Sequence, residues 1–460
     1  MQKEKEKVVH SSNEIICAQA TSHSGIGAVA IVRVSGAGSF ELVERYARKI
    51  DSISPLILKG THRCRYGLFV DSLGKACDSV LFVYMRGPDS FTGEDVVEIQ
   101  CHGGLIQPRL IIETLLSSGV RLARCGEFSQ RAFLNGRLSL MEAESVNNIV
   151  SATTRVGASV ALHNSLGLST GFIKNLRTKV LSLLAQVEVQ IDFPEDTEHL
   201  EDTTDLIVGR AIDVKSELDK FLKSFDRGIV LQNGLSLVIT GPVNSGKSSL
   251  FNCLVKSDRA IVNSTAGTTR DTISESVSID GWNFNILDTA GLRSTDCSIE
   301  LEGIRRSRDA AKNADIIISL YDLSEGIEDS DDLSDSLVLS VGNKCDLITT
   351  NYHKRGNELF VSALTGEGID DLLVLLVDKA VELSGINDAE GVVMASLRQK
   401  NDTLEAVSCL NQAIESLKTS TMDQAADDLR YVSEALSSLL GEIQSSQVID
   451  EIFSSFCLGK

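Results

Sequence analysis

The nine residues GPVNSGKSS, Gly241 to Ser249, constrain this chain more than any other feature. They follow an apolar run, LSLVIT, and precede an amphipathic one, SLFNCLVK, so a glycine-rich turn joins a strand to a helix. In the pattern Gly241-x-x-x-x-Gly246-Lys247-Ser248, glycines let backbone N–H groups wrap phosphates, Lys247 reaches the outer oxygens and the Ser248 hydroxyl ligates Mg²⁺. Four further runs, WNFNILDTA, ADIIISLYDL, SLVLSVGNKCD and ELFVSAL, read as short buried strands with helical patterns between most of them. This predicts a doubly wound, largely parallel α/β sheet over residues 234–384.

Which nucleotide such a sheet binds is decided by its other loops. Asn343-Lys344-Cys345-Asp346 ends a predicted strand, where the Asp346 carboxylate can accept from guanine N1–H and the 2-amino group. Adenine offers neither donor and would leave a desolvated carboxylate unpaired. Ser362, Ala363 and Leu364 follow the next strand and offer backbone N–H groups to the guanine carbonyl. Asp288, Thr289, Ala290 and Gly291 end another strand, supplying an acid near Mg²⁺ and a γ-phosphate sensor. Together with Asn244, Ser245, Gly246, Lys247, Ser248 and Ser249, these motifs imply a Ras-like P-loop GTPase domain. Leu292 stands where Ras-like enzymes carry a water-orienting glutamine, so catalysis needs another polar group and another positive charge. In Gly267-Thr-Thr-Arg-Asp271, Thr269 is placed to join Ser248 on Mg²⁺, and the preceding Ile261 to Ala266 run can curl over the phosphates.

The rest of the 460 residues has two textures. Residues 1–125 alternate β-rich runs (GAVAIVRVSG, SVLFVYM, DVVEIQCHGG) with a helical pattern, QPRLIIETLLSSG, as an α+β domain does. Residues 126–233 and 385–460 carry apolar residues at helical spacing, so the simplest account inserts the GTPase domain into an all-α domain. The net charge of −20 repels a phosphate backbone at long range, leaving nucleic-acid contact to a local basic patch or a basic partner. Ten cysteines without a CxxC pair predict reduced, mostly buried thiols, not a zinc site. No apolar run approaches a membrane span and the first residues are no secretory signal, which predicts a cytoplasmic protein. Cys457, followed by Leu458, Gly459 and Lys460, does not suit prenylation.

The runs AGTTRD and DTAGLR, Asn244 within the phosphate loop, and the segments FTGEDVVEIQCHGG, GEFSQRAFLNGRLSLMEAE and FCLGK resemble the MnmE (TrmE) family of tRNA-modification GTPases from about Ile15 to Lys460. The resemblance implies a K⁺ ion in place of an arginine finger, held by Asn244, Asn263, Thr265 and Thr268, with Ser264, Ala266 and Gly267 along the same nucleotide loop. Asn263 stands where many members have Thr. It implies Glu300 as the acid that orients water, with Glu302 competing two residues on, and Lys247 as the phosphate-loop lysine of the reaction.

For the N-terminal domain the resemblance implies a tetrahydrofolate derivative, in 5,10-methylene or 5-formyl form, at a dimer interface, contacted by Arg33, Glu98 and Arg137. From the residues alone, Arg and Glu pairing within one domain is an equal reading. Arg137 replaces a lysine common in relatives, and ATSHSGIGAVA lacks their Pro-Gly-Arg-Gly run. The tail implies that Cys457 and Lys460 come to the folate, with Cys457 as nucleophile, redox thiol or packing group. The implied function is a K⁺-stimulated GTPase, homodimeric and acting in a heterotetramer with an FAD-dependent MnmG (GidA) flavoprotein. Together they install an aminomethyl or carboxymethylaminomethyl group at C5 of the wobble uridine (U34) of tRNA. The rival reading is a ribosome-assembly GTPase of the Era or Der kind, which shares the nucleotide motifs but carries a basic RNA-binding domain not visible in this sequence.

Overall fold

The computed structural model describes residues 14–21, 27–52, 54–193, 200–256, 260–262, 274–287, 314–324, 337–348, 354–355, 358–384, 393, 396–419, 421–443 and 445–459. The chain forms two compact units that do not follow sequence order. One comprises residues 1–147, 170–184 and 429–460, and the other residues 148–169 and 185–428.

The first unit is built on β1 (Ile16–Gln19), β2 (Val29–Ser35), α1 (Ser39–Glu44), β3 (Ala47–Arg48), β4 (Arg63–Val70), β5 (Ala76–Met85), β6 (Val96–His102), α2 (Gln107–Leu116) and β7 (Arg121–Leu122). Its strands run in the order β3-β4-β5-β6-β2-β1-β7, antiparallel except for the β1–β7 pair. The two-residue period sends Val32 and Val34, Phe82 and Tyr84, and Val97 and Ile99 to one face, where they bury against Phe40, Val43, Ile111 and Leu115 of α1 and α2. The opposite face carries Arg33, Glu98, Ile31 and Gln100. At its β1 edge Ile16 and Ala18 are covered by Phe128 of α3 (Glu127–Leu134) and by Phe91. Away from that edge it stays open, with Val29, Tyr66 and Leu81 exposed.

Helix α4 (Leu140–Ser151) follows α3, and the C-terminal helix Ser446–Ser454 returns to both of them. Phe453 and Phe456 bury against Leu140 and Ala143, with Phe133 packed beside them. Gly126 lets the chains meet: a Cβ there would lie 2.3 Å from the Phe453 carbonyl, and its φ of +67° favours glycine.

The second unit holds α5 (Arg155–Ser165), the two ends of α6 (Leu168–Asp192), α7 (Leu200–Asn233), β8 (Leu235–Thr240), α8 (Lys247–Lys256), β9 (Ala260–Val262), β10 (Ser274–Ile279), β11 (Trp282–Leu287), β12 (Ile316–Asp322), β13 (Leu337–Asn343), β14 (Lys354–Arg355) and β15 (Glu358–Phe360). The order is β14-β15-β13-β12-β8-β11-β10-β9, with β15, β13, β12, β8 and β11 parallel. Strand order reverses at β8, and ligands of open α/β sheets bind beyond the carboxyl ends of strands at such a point. Helix Leu397–Lys418 packs along α7, so helices from before and after the sheet meet, as an inserted α/β domain requires.

One expectation fails. Of the nine described cysteines, all free, only Cys17 and Cys101 are buried, while Cys64, Cys125 and Cys457 are exposed. Cys64 lies on the projecting end of β4 and Cys125 in the turn before α3, positions that a composition argument does not see. Burial pushes the Cys17 thiol up to about 12 and, with Asp78 adding to it, Cys101 to about 11, so both stay protonated and inert.

Candidate functional site

The phosphate loop leaves β8 and enters α8 at the switch point. Its conformation explains its composition. Gly241 has φ +146° and a Cβ there would sit 2.0 Å from the Leu320 carbonyl, and Gly246 has φ +95° with Asn343 Nδ2 2.1 Å from its own would-be Cβ. Asn244 takes the left-handed φ of +68°, which Asn tolerates better than most residues, and stays exposed at the rim with Ser248 and Ser249. Lys247 folds back, donating to the carbonyls of Gly241 (2.9 Å) and Pro242 (2.7 Å). Burial lowers its pKa, so the ammonium gains from an anionic partner in the loop.

Asn343 joins two of the nucleotide loops. It is buried, its Nδ2 donates to the Ser245 carbonyl at 2.8 Å, and its Oδ1 accepts from Ala363 N–H at 3.0 Å. One side chain thereby staples the phosphate loop to the Ser362–Leu364 loop, and the Ala363 amide is engaged by protein. Ser362 is buried and Leu364 exposed. Lys344, at φ +64°, pairs with Asp322 at the end of β12. That ion pair, with Ser324 O–H and N–H, holds the Asp322 carboxyl at about 2. Asp346 is exposed and free to accept from a base. Asn263, Ser264, Thr265, Ala266, Gly267, Thr268, Thr269, Asp288, Thr289, Ala290, Gly291, Glu300 and Lys460 lie outside the described residues. The sequence reasoning missed Asp322, whose only signal is an acid at a strand end.

In the first unit, Arg33 and Glu98 face each other across β2 and β6. Arg33 Nε and Nη2 both meet Glu98 Oε1, at 2.9 and 2.8 Å, and the guanidinium lies between the rings of Phe91 and Phe128, 5.5 Å from each centroid. No bond to Glu98 Oε2 occurs among the described residues, leaving one carboxylate oxygen for a donor. The Arg33–Glu98 pair is of the kind the residues alone suggest, and both residues also belong to the set with Arg137 that the resemblance implies.

Arg137 follows α3, exposed, its stem against Gly93. It shares the Phe91–Glu94 turn with Arg33: Phe91 stacks on Arg33, while Asn135 donates to the Thr92 carbonyl at 2.7 Å. The tail reaches the same place. Arg33 Nη1 donates to the Gly459 carbonyl (3.4 Å), and Gly459, at φ +88°, has no room for a side chain beside the Gln19 carbonyl, 2.4 Å from a Cβ. Cys457 is exposed and its carbonyl accepts from Gly126 N–H. Phe91, Phe128 and Gly459 were not singled out in the sequence; aromatic residues beside the polar motifs, in SFTGED and GEFSQR, were the available signal.

Behind this site lies an ion network centred on the buried Arg131 and Glu127. Arg131 donates to Glu94 (3.0 Å) and Glu127 (3.2 Å), and Arg121 to Glu127 (2.6 Å) and Glu14 (2.9 Å). Desolvation opposes the Glu127 charge, but Arg121, the Arg124 N–H and Arg131 outweigh it and hold the carboxyl at about 2.

Two family descriptions match the chain: GTP-binding protein TrmE N-terminus over residues 15–137, and MnmE helical domain over residues 140–457. Curated relatives named tRNA modification GTPase MnmE align over nearly all of it. That of Fervidobacterium nodosum is 36% identical, covering 95% of both chains. That of Vesicomyosocius okutanii is 36% identical over 98% of this chain and 100% of its own, and that of Carboxydothermus hydrogenoformans 37% over 95% and 97%. The chain belongs to the MnmE (TrmE) family of tRNA modification GTPases.

Proposed function

We propose that this GTPase is potassium-stimulated and cytoplasmic, and that with an FAD-dependent flavoprotein of the MnmG type it adds an aminomethyl or carboxymethylaminomethyl group to C5 of the tRNA wobble uridine. The observation that carries the reading is the Arg33–Glu98 pair, held between Phe91 and Phe128 at the place where the chain's tail docks. A GTPase acting only as a switch has no use for a second polar site built from a strand pair, an aromatic clamp and a returning cysteine-bearing tail.

The donor set suits a tetrahydrofolate derivative. The free Glu98 oxygen matches N–H donors of a pterin ring, Phe91 and Phe128 hold Arg33 beside it, and the unpaired Arg137 matches glutamyl carboxylates. When bound, such a group supplies a one-carbon unit at the folate oxidation level. The residues of this chain bind and orient it, with Cys457 and Lys460 as the tail's contributions and ammonium or glycine as the nitrogen source. The open sheet face beside Arg33 and Glu98, with Val29, Tyr66 and Leu81 exposed, supports homodimerisation through residues 1–125 and a heterotetramer with the flavoprotein.

In the nucleotide domain, residues 234–384, Lys247 and the loop amides hold the β and γ phosphates, and Ser248 with Thr269 hold Mg²⁺. The exposed, left-handed Asn244 suits a K⁺ ligand, shared with Asn263, Thr265 and Thr268. A monovalent cation held by these residues would supply positive charge beside the phosphates. Glu300 orients the attacking water. The helices of residues 126–233 and 385–460 relay the resulting motion of the nucleotide domain.

Single-turnover GTP hydrolysis in KCl and NaCl tests the cation: a drop of tenfold or more in Na⁺ is expected, and equal rates overturn the assignment. Nucleoside analysis of tRNA from cells lacking the protein tests the modification. Unmodified wobble uridines are expected, and unchanged ones, with the flavoprotein intact, favour the ribosome-assembly reading.

A further inference from the structure

We infer that the β3–β4 end of the seven-stranded sheet is a docking surface for the phosphate backbone of RNA. The inference rests on the tRNA reading above. From residue 45 to 66 the chain carries six Lys and Arg and one acid, Asp51, a local surplus of five positive charges in a protein of net charge −20. The fold gathers these cations with one that lies far along the sequence. Tyr84 O–H donates to the Lys59 carbonyl at 2.6 Å, His62 N–H to the Tyr84 carbonyl at 2.8 Å, and Arg86 N–H to Thr61 Oγ1 at 2.9 Å. Lys59, Arg63 and Arg86 are thereby brought to one end of β4 and β5. On the adjoining loop, Leu56 N–H bonds to the Ala47 carbonyl, and Arg45 and Lys49 flank β3 toward the Leu68–Phe69 end of β4.

Arg45, Lys49, Lys59, Arg63, Arg65 and Arg86 are all exposed, and none is paired with a carboxylate among the described residues. Elsewhere in the same unit Arg33, Arg109, Arg121, Arg131 and Arg177 each meet a Glu. Glu44, the acid adjoining the segment, accepts Leu58 N–H within it and forms no ion pair with these cations among the described residues. Arg63 and Arg65 leave the same side of β4, about 6.6 Å apart at 3.3 Å per residue. β3 meets β4 at Leu68 and Phe69, and among the described residues no strand pairs with the Arg63–Arg65 stretch on that side. Charges guard such an edge against pairing with another sheet. One or two suffice for that, whereas Lys59, Arg63, Arg65 and Arg86 at one end of β4 and β5, with no carboxylate paired to them among the described residues, suit a polyanion whose counterions they can displace.

The test is tRNA binding by the full chain, followed by fluorescence anisotropy across a salt series, for wild type, R63E/R65E and R63K/R65K. R63E/R65E is expected to weaken binding more than tenfold and to lower the slope of log K against log salt by about 2, one unit per lost phosphate contact. R63K/R65K is expected to keep both, because a point charge suffices at a phosphate, and both variants are expected to keep basal GTP hydrolysis. Unchanged affinity and slope in R63E/R65E overturn the inference, as does a wild-type chain that binds no tRNA, or R63K/R65K failing as badly as R63E/R65E. A reversal variant that binds tRNA normally but no longer binds an acidic partner protein overturns the RNA assignment in favour of that partner. Wobble nucleosides from cells carrying R63E/R65E are scored separately. Normal modification in cells lacking the protein defeats the tRNA reading itself, whereas unchanged tRNA affinity in R63E/R65E defeats only the surface.

Discussion

Replacing Asn343 by Ala removes one side chain and leaves two buried backbone groups without partners, the Ser245 carbonyl and the Ala363 N–H. Each orphan costs about 1–3 kcal/mol if water does not reach it, so the structured loops lose about 2–6 kcal/mol in all. If that cost falls on the binding-competent state, nucleotide affinity drops by about 30-fold to about 10⁴-fold, at 1.4 kcal/mol per factor of ten. Asn343→Asp is a sharper probe, because it keeps the acceptor for Ala363 but sets an anionic oxygen 2.8 Å from the Ser245 carbonyl. The assay is fluorescent GDP binding with urea unfolding alongside, repeated with inosine and xanthosine diphosphates. Because Asn343 joins two loops, the loss is expected to extend to all three bases. Affinity within threefold of wild type in Asn343→Ala, or a loss confined to guanine, refutes the staple.

Asp346→Asn is expected to reverse base choice, since an amide N–H₂ complements the 2-carbonyl of xanthine and not the 2-amino group of guanine. Competition between GDP and xanthosine diphosphate measures it, and retained guanine preference counts against Asp346 as the base reader. Gly459→Ala forces a Cβ toward the Gln19 carbonyl at φ +88°, costing about 1–2 kcal/mol before any clash, and takes the tail carbonyl from Arg33. Titration with 5-formyltetrahydrofolate is expected to show affinity weakened several-fold with GTP hydrolysis intact, and equal folate affinity would remove the tail from the site. Deleting residues 457–460 is expected to abolish modification and spare GTP hydrolysis; loss of both would make the tail a structural element. The Glu127 carboxyl, held at about 2 against an unfolded value near 4.5, adds about 3 kcal/mol of stability above pH 4.5 that disappears as pH falls through 2. Glu127→Gln is expected to flatten acid unfolding over that window, and an unchanged profile would show that the network is not what resists acid.

The GTPase core was legible in the sequence because its chemistry is local. A phosphate loop needs its glycines, lysine and serine within nine consecutive residues, and Gly241, Asn244 and Gly246 take the positive φ values that such a turn demands. Strand faces followed the period of two, so Arg33 and Glu98 could be placed on strands, and the resemblance could name them as a set. What sequence could not give is who meets whom across the chain. Asn343 stands in its motif whatever the fold, and only the packing of β8, β13 and the loop after β15 makes it join two loops. Cys64 and Cys125 looked like core thiols until strand ends and turns exposed them. The cations of residues 45–66 are a run in the sequence, but Arg86 joins them only because β5 pairs with β4. The Arg33 site is assembled from residues 33, 91, 98, 128 and 459, which no local spacing links. Local steric and phosphate chemistry are written into short windows, whereas burial, pairing and counter-charge depend on segments distant in sequence, and only the folded chain fixes those distances.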